Sequence, residues 1–315
     1  MKFLKIKMIA VVSTLIFLSA CQTEAQNNLK QVEIMLDWYP NAVHTFLYVA
    51  LEEGYFEEEG LDVDIVFPAN PSDPIQLAGS GAIEFAISYQ NNIILAQEED
   101  LPVSVVAPIV RSPLNHLLFL SSQNFNSPAD LEGHTVGYSG IALNELYLKT
   151  MVELDGGDFS KVNVIDVGFE LGPAIMSERT DAIIGAYINH EYPVLQHKGF
   201  DIDYLNPADY GVPSYYELVL IANSSFLSEN EDIVNAFWSA AEKGYSDMKE
   251  DPYGSLDILL QNQDEGNFPL IESVERESLD ILLEKMESPN EPFGSFDQAH
   301  WDDGKQWLLS NYEQN

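Results

Sequence analysis

The chain has 315 residues, 46% of them apolar, and a formal net charge of −37. That apolar share supports a folded protein rather than a disordered one, and that charge excludes nucleic acid and an anionic membrane surface as partners of the folded part. Cys21 is the single cysteine, which excludes an intramolecular disulfide.

Lys2, Lys5 and Lys7 precede MIAVVSTLIFL (8–18), an apolar run of signal-peptide length and too short to span a bilayer comfortably. LSAC (18–21) then brings small residues up to Cys21. This resembles a bacterial lipoprotein signal. It implies a cleaved leader at 1–20, diacylation of Cys21, a polar tether at 21–30 and a chain anchored on the extracytoplasmic face of the cell membrane. Roughly 290 remaining residues exceed one comfortable core and point to two lobes.

VEIML (32–36) reads as a strand and 42–53 as a helix stopped by Gly54. LDVDIVFPA (61–69) alternates acid and apolar residues and reads as a strand, DPIQLAGSG (73–81) as a helix ending on glycine. EFAIS (84–88) is a buried strand followed by helix in NNIILAQEED. PVSVVAPIV (102–110) and NHLLFLSS (115–122) are strands, Ser127 and Pro128 a helix start, and HTVGY a strand. LNELYLKTMVEL (143–154) is an amphipathic helix. VNVIDV (162–167) is a strand, GPAIMSERT a helix, DAIIGAY (181–187) a strand, and YYELVLIA (215–222) a strand before a helical C-terminal part. Alternating strands and helices predict open α/β sheets with right-handed crossovers.

In such sheets ligands sit beyond the carboxyl ends of strands, beside helix N-termini. Four strand ends here carry aromatics together with amides or acids: Asp37–Asn41, Tyr89–Asn91, Gly140–Asn144 and Tyr187–Glu191. Trp38, Tyr39, Tyr89 and Tyr187 can offer flat faces to a flat heterocycle. Asn41, Gln90, Asn115, Asn144, Asn189 and Glu191 can read ring nitrogens and amino groups; an ionised Glu191 only accepts and suits an exocyclic amine. Each tyrosine could equally be packing. Trp38 is the exception, because the polar residues around it are poor core material. His44, one turn into the first helix, faces either the cleft or the packing beneath it. His116 sits in an apolar strand and reads as core. His190 beside Glu191 suggests a metal only weakly, since no second cluster supports it. Glycine-rich nucleotide loops and a G-x-S-x-G elbow are absent from the sequence. Arg111 and Arg179 are the only arginines before Arg276, and neither ends a strand in this way, which disfavours an anionic ligand.

LDWYPNAVH (36–44), LYVALEEGYFEEEGLDVDIV and NPSDPIQLAGSGAIEFAIS, with LEGHTVGYSG, TDAIIGAY and IANSSFL further on, resemble the thiamin-pyrimidine branch of a solute-binding family. That family also contains the fungal pyrimidine-precursor synthases. The resemblance covers nearly all of 31–245. It implies a type II periplasmic-binding-protein fold, two α/β lobes joined by two crossovers with a ligand cleft between them. Lobe 1 is then expected at 31–121 and 215–315, lobe 2 at 122–214. The implied function is that of a monomeric receptor without a cofactor, serving the permease and ATPase subunits of an ABC importer. The implied ligand is a thiamin-derived aminopyrimidine such as N-formyl-4-amino-5-aminomethyl-2-methylpyrimidine. The resemblance further implies stacking by Trp38 and Tyr187, a lining role for Tyr89, and hydrogen bonds from Glu191 and Asn115. Asp37 would orient the Trp38 loop or touch the ligand, and Tyr39, Tyr215 and Tyr216 could exchange roles with the stacking pair. The synthases hold pyridoxal phosphate on a lysine just beyond the G-S-G turn, with a histidine after it. Ser88 and Asn92 stand at those places here, and GVPSYYELVL replaces a cysteine-rich stretch. A Schiff base needs its lysine, so no enzyme activity is expected.

Overall fold

The computed structural model describes residues 29–264 and 266–312. The leader, Cys21 and residues 21–28 of the expected tether lie outside the described residues. Strand β1 (Lys30–Met35) begins inside the segment assigned to the tether, and the Lys30 N–H donates to Gly60 O at 2.9 Å.

From β1 the chain runs through α1 (Thr45–Glu52), α2 (Tyr55–Glu58), β2 (Leu61–Val66), α3 (Asp73–Ser80), β3 (Phe85–Ser88), α4 (Gln90–Glu98) and β4 (Val103–Val110). It then crosses to β5 (Asn115–Leu120), β6 (Thr135–Tyr138), α5 (Leu143–Leu154), β7 (Asn163–Asp166), α6 (Leu171–Met176), β8 (Ala182–Tyr187), α7 (Glu191–His197) and β9 (Ile202–Leu205). It returns through β10 (Leu218–Asn223) and closes with α8 (Ser224–Glu229), α9 (Glu231–Glu250), α10 (Pro252–Gln261), α11 (Glu272–Met286) and α12 (Gln298–Tyr312).

Two five-stranded sheets result, ordered β2-β1-β3-β10-β4 and β7-β6-β8-β5-β9. The two orders follow one pattern. In each, the fourth strand is the one that has just arrived from the other lobe, and it runs antiparallel to both neighbours. The crossings are short: 111–114, with Pro113, and 206–217, with Pro207 and Pro213.

This topology moves the expected lobe boundary. Residues 115–120, assigned to lobe 1 from the sequence, pair with β8 and β9 and therefore belong to lobe 2. An apolar run such as LLFL (117–120) reads the same in either sheet, because helices cover both faces of each. Strand β9 has no counterpart in the sequence reading. It is short, carries Asp203, and exposes two of its four residues.

Each sheet has a core on both faces. In lobe 1, Ile34, Phe46, Phe85 and Phe237 pack on one face, and Ile93, Val219 and Trp301 on the other. In lobe 2, Ala182 and Ile184 face the core built on Leu148 and Met151, while Ile183 between them faces Ile175 and Leu195. The period-2 alternation of a strand thus places neighbouring residues in different cores.

Candidate ligand-binding site

A cleft of about 650 Å³, with its open mouth included, lies between the lobes. Lobe 1 contributes the loop after β1 and the residues after β3. Lobe 2 contributes the ends of β6 and β8 and the first turns of α5 and α7.

The loop after β1 is built around a capped turn. Asn41 has extended backbone and accepts from Val43 N at 3.1 Å, while the Asn41 N–H donates to His44 Nδ1 at 3.2 Å. This capping box starts a 3-10 turn at Ala42–His44 instead of the α-helix expected from residue 42. Because Nδ1 accepts, the imidazole proton sits on Nε2, which donates to Asp37 Oδ1 at 2.9 Å. His44 is fully buried and does not line the cleft. Of the two places open to it, it takes the one beneath the loop, where it fixes Asp37.

Tyr39 is likewise not a wall of the cleft. It stacks on Phe268, with centroids 4.8 Å apart and rings 4° from parallel. Its hydroxyl is 3.0 Å from His190 Nε2, a contact between the lobes. The other expected residues converge on the cleft: Asp37, Trp38, Asn41 and Tyr89 from lobe 1, Asn115, Tyr187 and Glu191 from lobe 2. Tyr89 donates to Asp37 Oδ2 at 3.3 Å, so Asp37 is held by two donors. Glu191 accepts from Tyr187 N at 2.7 Å, which fixes the turn from β8 into α7.

Asn115 opens β5 and has both ends of its amide engaged. It accepts from Gly185 N at 2.9 Å and donates to Asn144 Oδ1 at 2.8 Å; Asn144 in turn donates to Ser139 at 3.1 Å. The β5–β8 register shifts at this point, leaving Gly185 as a bulge with φ of +88°. A Cβ there would lie 2.4 Å from Asn144 Nδ2, so glycine is required both by the backbone and by the approaching amide.

Glu217 also lines the cleft, one residue before β10, and sequence reasoning missed it. Its Oε2 accepts from Leu114 N at 2.6 Å and Asn115 N at 3.1 Å; its Oε1 accepts from Tyr187 Oη at 3.2 Å. It therefore ties the end of the second crossing to the end of the first. Burial pushes its carboxyl from the ordinary 4.5 up to about 7, against the pull of these three donors, and the Asp37 charge adds to the rise. Burial and the nearby acids push Tyr89, Tyr187 and Tyr215 well above the ordinary value of 10.

The lining holds three carboxyl groups, Asp37, Glu191 and Glu217, and neither lysine nor arginine. Arg111 is turned away, to Ser295 and to Glu291 at 2.9 Å. Tyr147 and Tyr215 add a stacked pair, with centroids 5.7 Å apart. Ser88 is a buried strand residue paired with Val219, and Asn92 lines the cleft. Among the described residues, no group of three or more His, Cys, Asp or Glu could hold a metal ion, and no helix is long and apolar enough to cross a membrane.

This fold is shared with solved periplasmic binding proteins. The periplasmic aliphatic sulphonate-binding protein SsuA from Escherichia coli superposes with a TM-score of 0.68 at 14% identity, covering 90% of this chain and 92% of that one. At the sequence level the chain is 61% identical to a formylaminopyrimidine-binding protein from Halalkalibacterium halodurans, over 96% of this chain and 92% of the relative. It is 27% identical to a 4-amino-5-hydroxymethyl-2-methylpyrimidine phosphate synthase from Legionella pneumophila, over 79% of each chain. The family model described as NMT1/THI5 like matches residues 41–255. With two α/β lobes of the type II periplasmic-binding kind around an aromatic, acid-lined cleft, the chain belongs to the NMT1/THI5-like family.

Proposed function

We propose that this protein is the lipid-anchored, extracytoplasmic solute receptor of an ABC importer, and that it captures a thiamin-derived aminopyrimidine, N-formyl-4-amino-5-aminomethyl-2-methylpyrimidine. The observation that carries the ligand is the character of the cleft: aromatic walls, three carboxyl groups and no basic side chain. Such a lining suits a flat ring that presents N–H donors and repels a sulfonate or phosphate. The 61% identity to a formylaminopyrimidine-binding protein supports the same ligand. Trp38 and Tyr187 supply ring faces, Tyr89 closes the slot, and Glu191 accepts from the exocyclic amine. Asn115 acts through its chain of amides, and Asp37 holds the Trp38 loop. The anchor is Cys21, which lies outside the described residues.

The synthase relatives make catalysis the competing reading. The lining residues include no lysine for a Schiff base, and the family resemblance sets Ser88 at the place of the synthases' lysine, which supports binding without chemistry. A thermal-shift titration tests both readings. A ligand that binds only the folded state stabilises it by about 2.7 kcal/mol at a hundredfold excess over Kd. The expected result is a shift with the formylated aminopyrimidine and none with taurine or pyridoxal phosphate. A shift with taurine alone, or an absorbance band from bound pyridoxal phosphate, would overturn the proposal.

A further inference from the structure

We propose that Glu217 determines specificity by sharing a single proton with a basic ring nitrogen of the ligand, so that the complex forms only with heterocycles that present an unprotonated ring nitrogen at this point. The inference rests on the aminopyrimidine reading above and names the group that enforces it.

The geometry separates the two oxygens of the carboxyl. Oε2 is committed to two backbone N–H groups, from Leu114 and Asn115. Oε1 takes no backbone donor: it accepts from the Tyr187 hydroxyl at 3.2 Å, the Tyr215 hydroxyl also hydrogen-bonds the carboxyl, and Oε1 is the oxygen left to carry a proton. The side chain is 3% exposed. Burying a bare carboxylate here is costly without a cation, and the lining supplies none. The groups facing it are Asp37 from the β1 loop, Tyr89 after β3, Tyr147 on α5, Tyr187 on β8 and Tyr215 before β10; His190 and Glu191 stand further along the same cleft. Asp37 adds negative charge, and the tyrosines stay neutral through the physiological range. A proton on Oε1 removes the charge and creates one donor aimed into the slot. An aminopyrimidine ring nitrogen accepts from it. A 4-oxo analogue carries N–H at the adjacent ring position instead, and donor would then face donor. No covalent bond forms; the pair holds one proton in total, on either atom.

The test is calorimetric binding of the formylated aminopyrimidine and of its 4-oxo analogue from pH 6 to 9, with the wild type and Glu217→Gln. Wild-type affinity is expected to fall about tenfold per pH unit once the free carboxyl ionises, with proton uptake approaching one per complex in buffers of different ionisation heat. Glu217→Gln is expected to bind about as well as the wild type at pH 6.5 but with a flat profile and no proton uptake up to pH 9, because its amide N–H₂ donates in place of the protonated oxygen and does not titrate. The 4-oxo analogue is expected to bind the wild type at least a hundredfold more weakly. Binding by the wild type with no proton uptake and no pH dependence would overturn this inference alone. Failure of the wild type to bind the aminopyrimidine at any pH would overturn the functional reading and this inference with it. The proton-uptake measurement needs no variant, so it decides the matter even if Glu217→Gln folds poorly.

Discussion

Trp38 of lobe 1 meets Phe169 of lobe 2 edge to face, with ring centroids 4.2 Å apart and planes at 75°. The contact joins the two lobes and holds the indole, which lines the cleft. Such pairs add about 0.5–1.5 kcal/mol beyond area burial, and they also hold the ring in one orientation.

Trp38→Ala should therefore weaken the aminopyrimidine complex by about 2 kcal/mol, ~30-fold, since it removes both a ring face and buried area. Phe169→Ala should weaken it only a few-fold, because Phe169 orients the indole without lining the cleft. Fluorescence titration of both variants checks the order; equal losses would contradict the division of roles.

Gly185→Ala should destabilise the protein by about 2 kcal/mol, through a strained positive φ and the displacement of Asn144. Ligand affinity should fall with it, because the Asn115–Asn144–Ser139 chain loses its register. Thermal melting of the unliganded variant reads the first effect and calorimetry the second.

His44→Leu should keep the packing volume yet leave Asp37 Oδ1 without its donor. An unsatisfied buried acceptor costs about 1–3 kcal/mol. The melting temperature should drop, and so should affinity, although His44 touches no ligand. An affinity loss with unchanged stability would instead make His44 a direct contact.

Glu217 gives stability a pH dependence whose sign follows from linkage. Its folded-state value of about 7 lies above the ordinary 4.5, so between these pH values the folded state holds more protons than the unfolded one. The favourable contribution is complete below the lower value and is lost as pH rises through the upper one, about 3 kcal/mol in all. Glu217→Gln should flatten that decline in the unliganded protein and raise its stability at pH 8. Denaturant melts at pH 5 and pH 8 measure it.

Much of the site was legible because parallel strands end where helices begin. That rule gathered Asp37, Trp38, Tyr89, Tyr187 and Glu191 from distant stretches of sequence, and all of them line one cleft. It failed for Glu217, and the reason is direction. Strand β10 runs antiparallel to β3, so its amino end, rather than its carboxyl end, faces the ligand. In YYELVLIA a lone acid ahead of an apolar run gives no hint of that. The lobe assignment of β5 was illegible for a related reason, since which sheet accepts a buried strand is decided by partners 63–88 residues away in sequence. Tyr39 and His44, each open to cleft or packing from the sequence, lie off the cleft: Tyr39 stacks on Phe268, and His44 is drawn beneath the loop by the capped turn at Ala42–His44, a detail that apolar periodicity does not carry.

The most direct test of the account is isothermal titration of the purified protein with N-formyl-4-amino-5-aminomethyl-2-methylpyrimidine, with taurine, thiamin and pyridoxal phosphate as comparisons. The account predicts one site per chain for the formylated aminopyrimidine, binding far more tightly than any of the other three. Saturable binding of taurine or pyridoxal phosphate, with none of the aminopyrimidine, would contradict it.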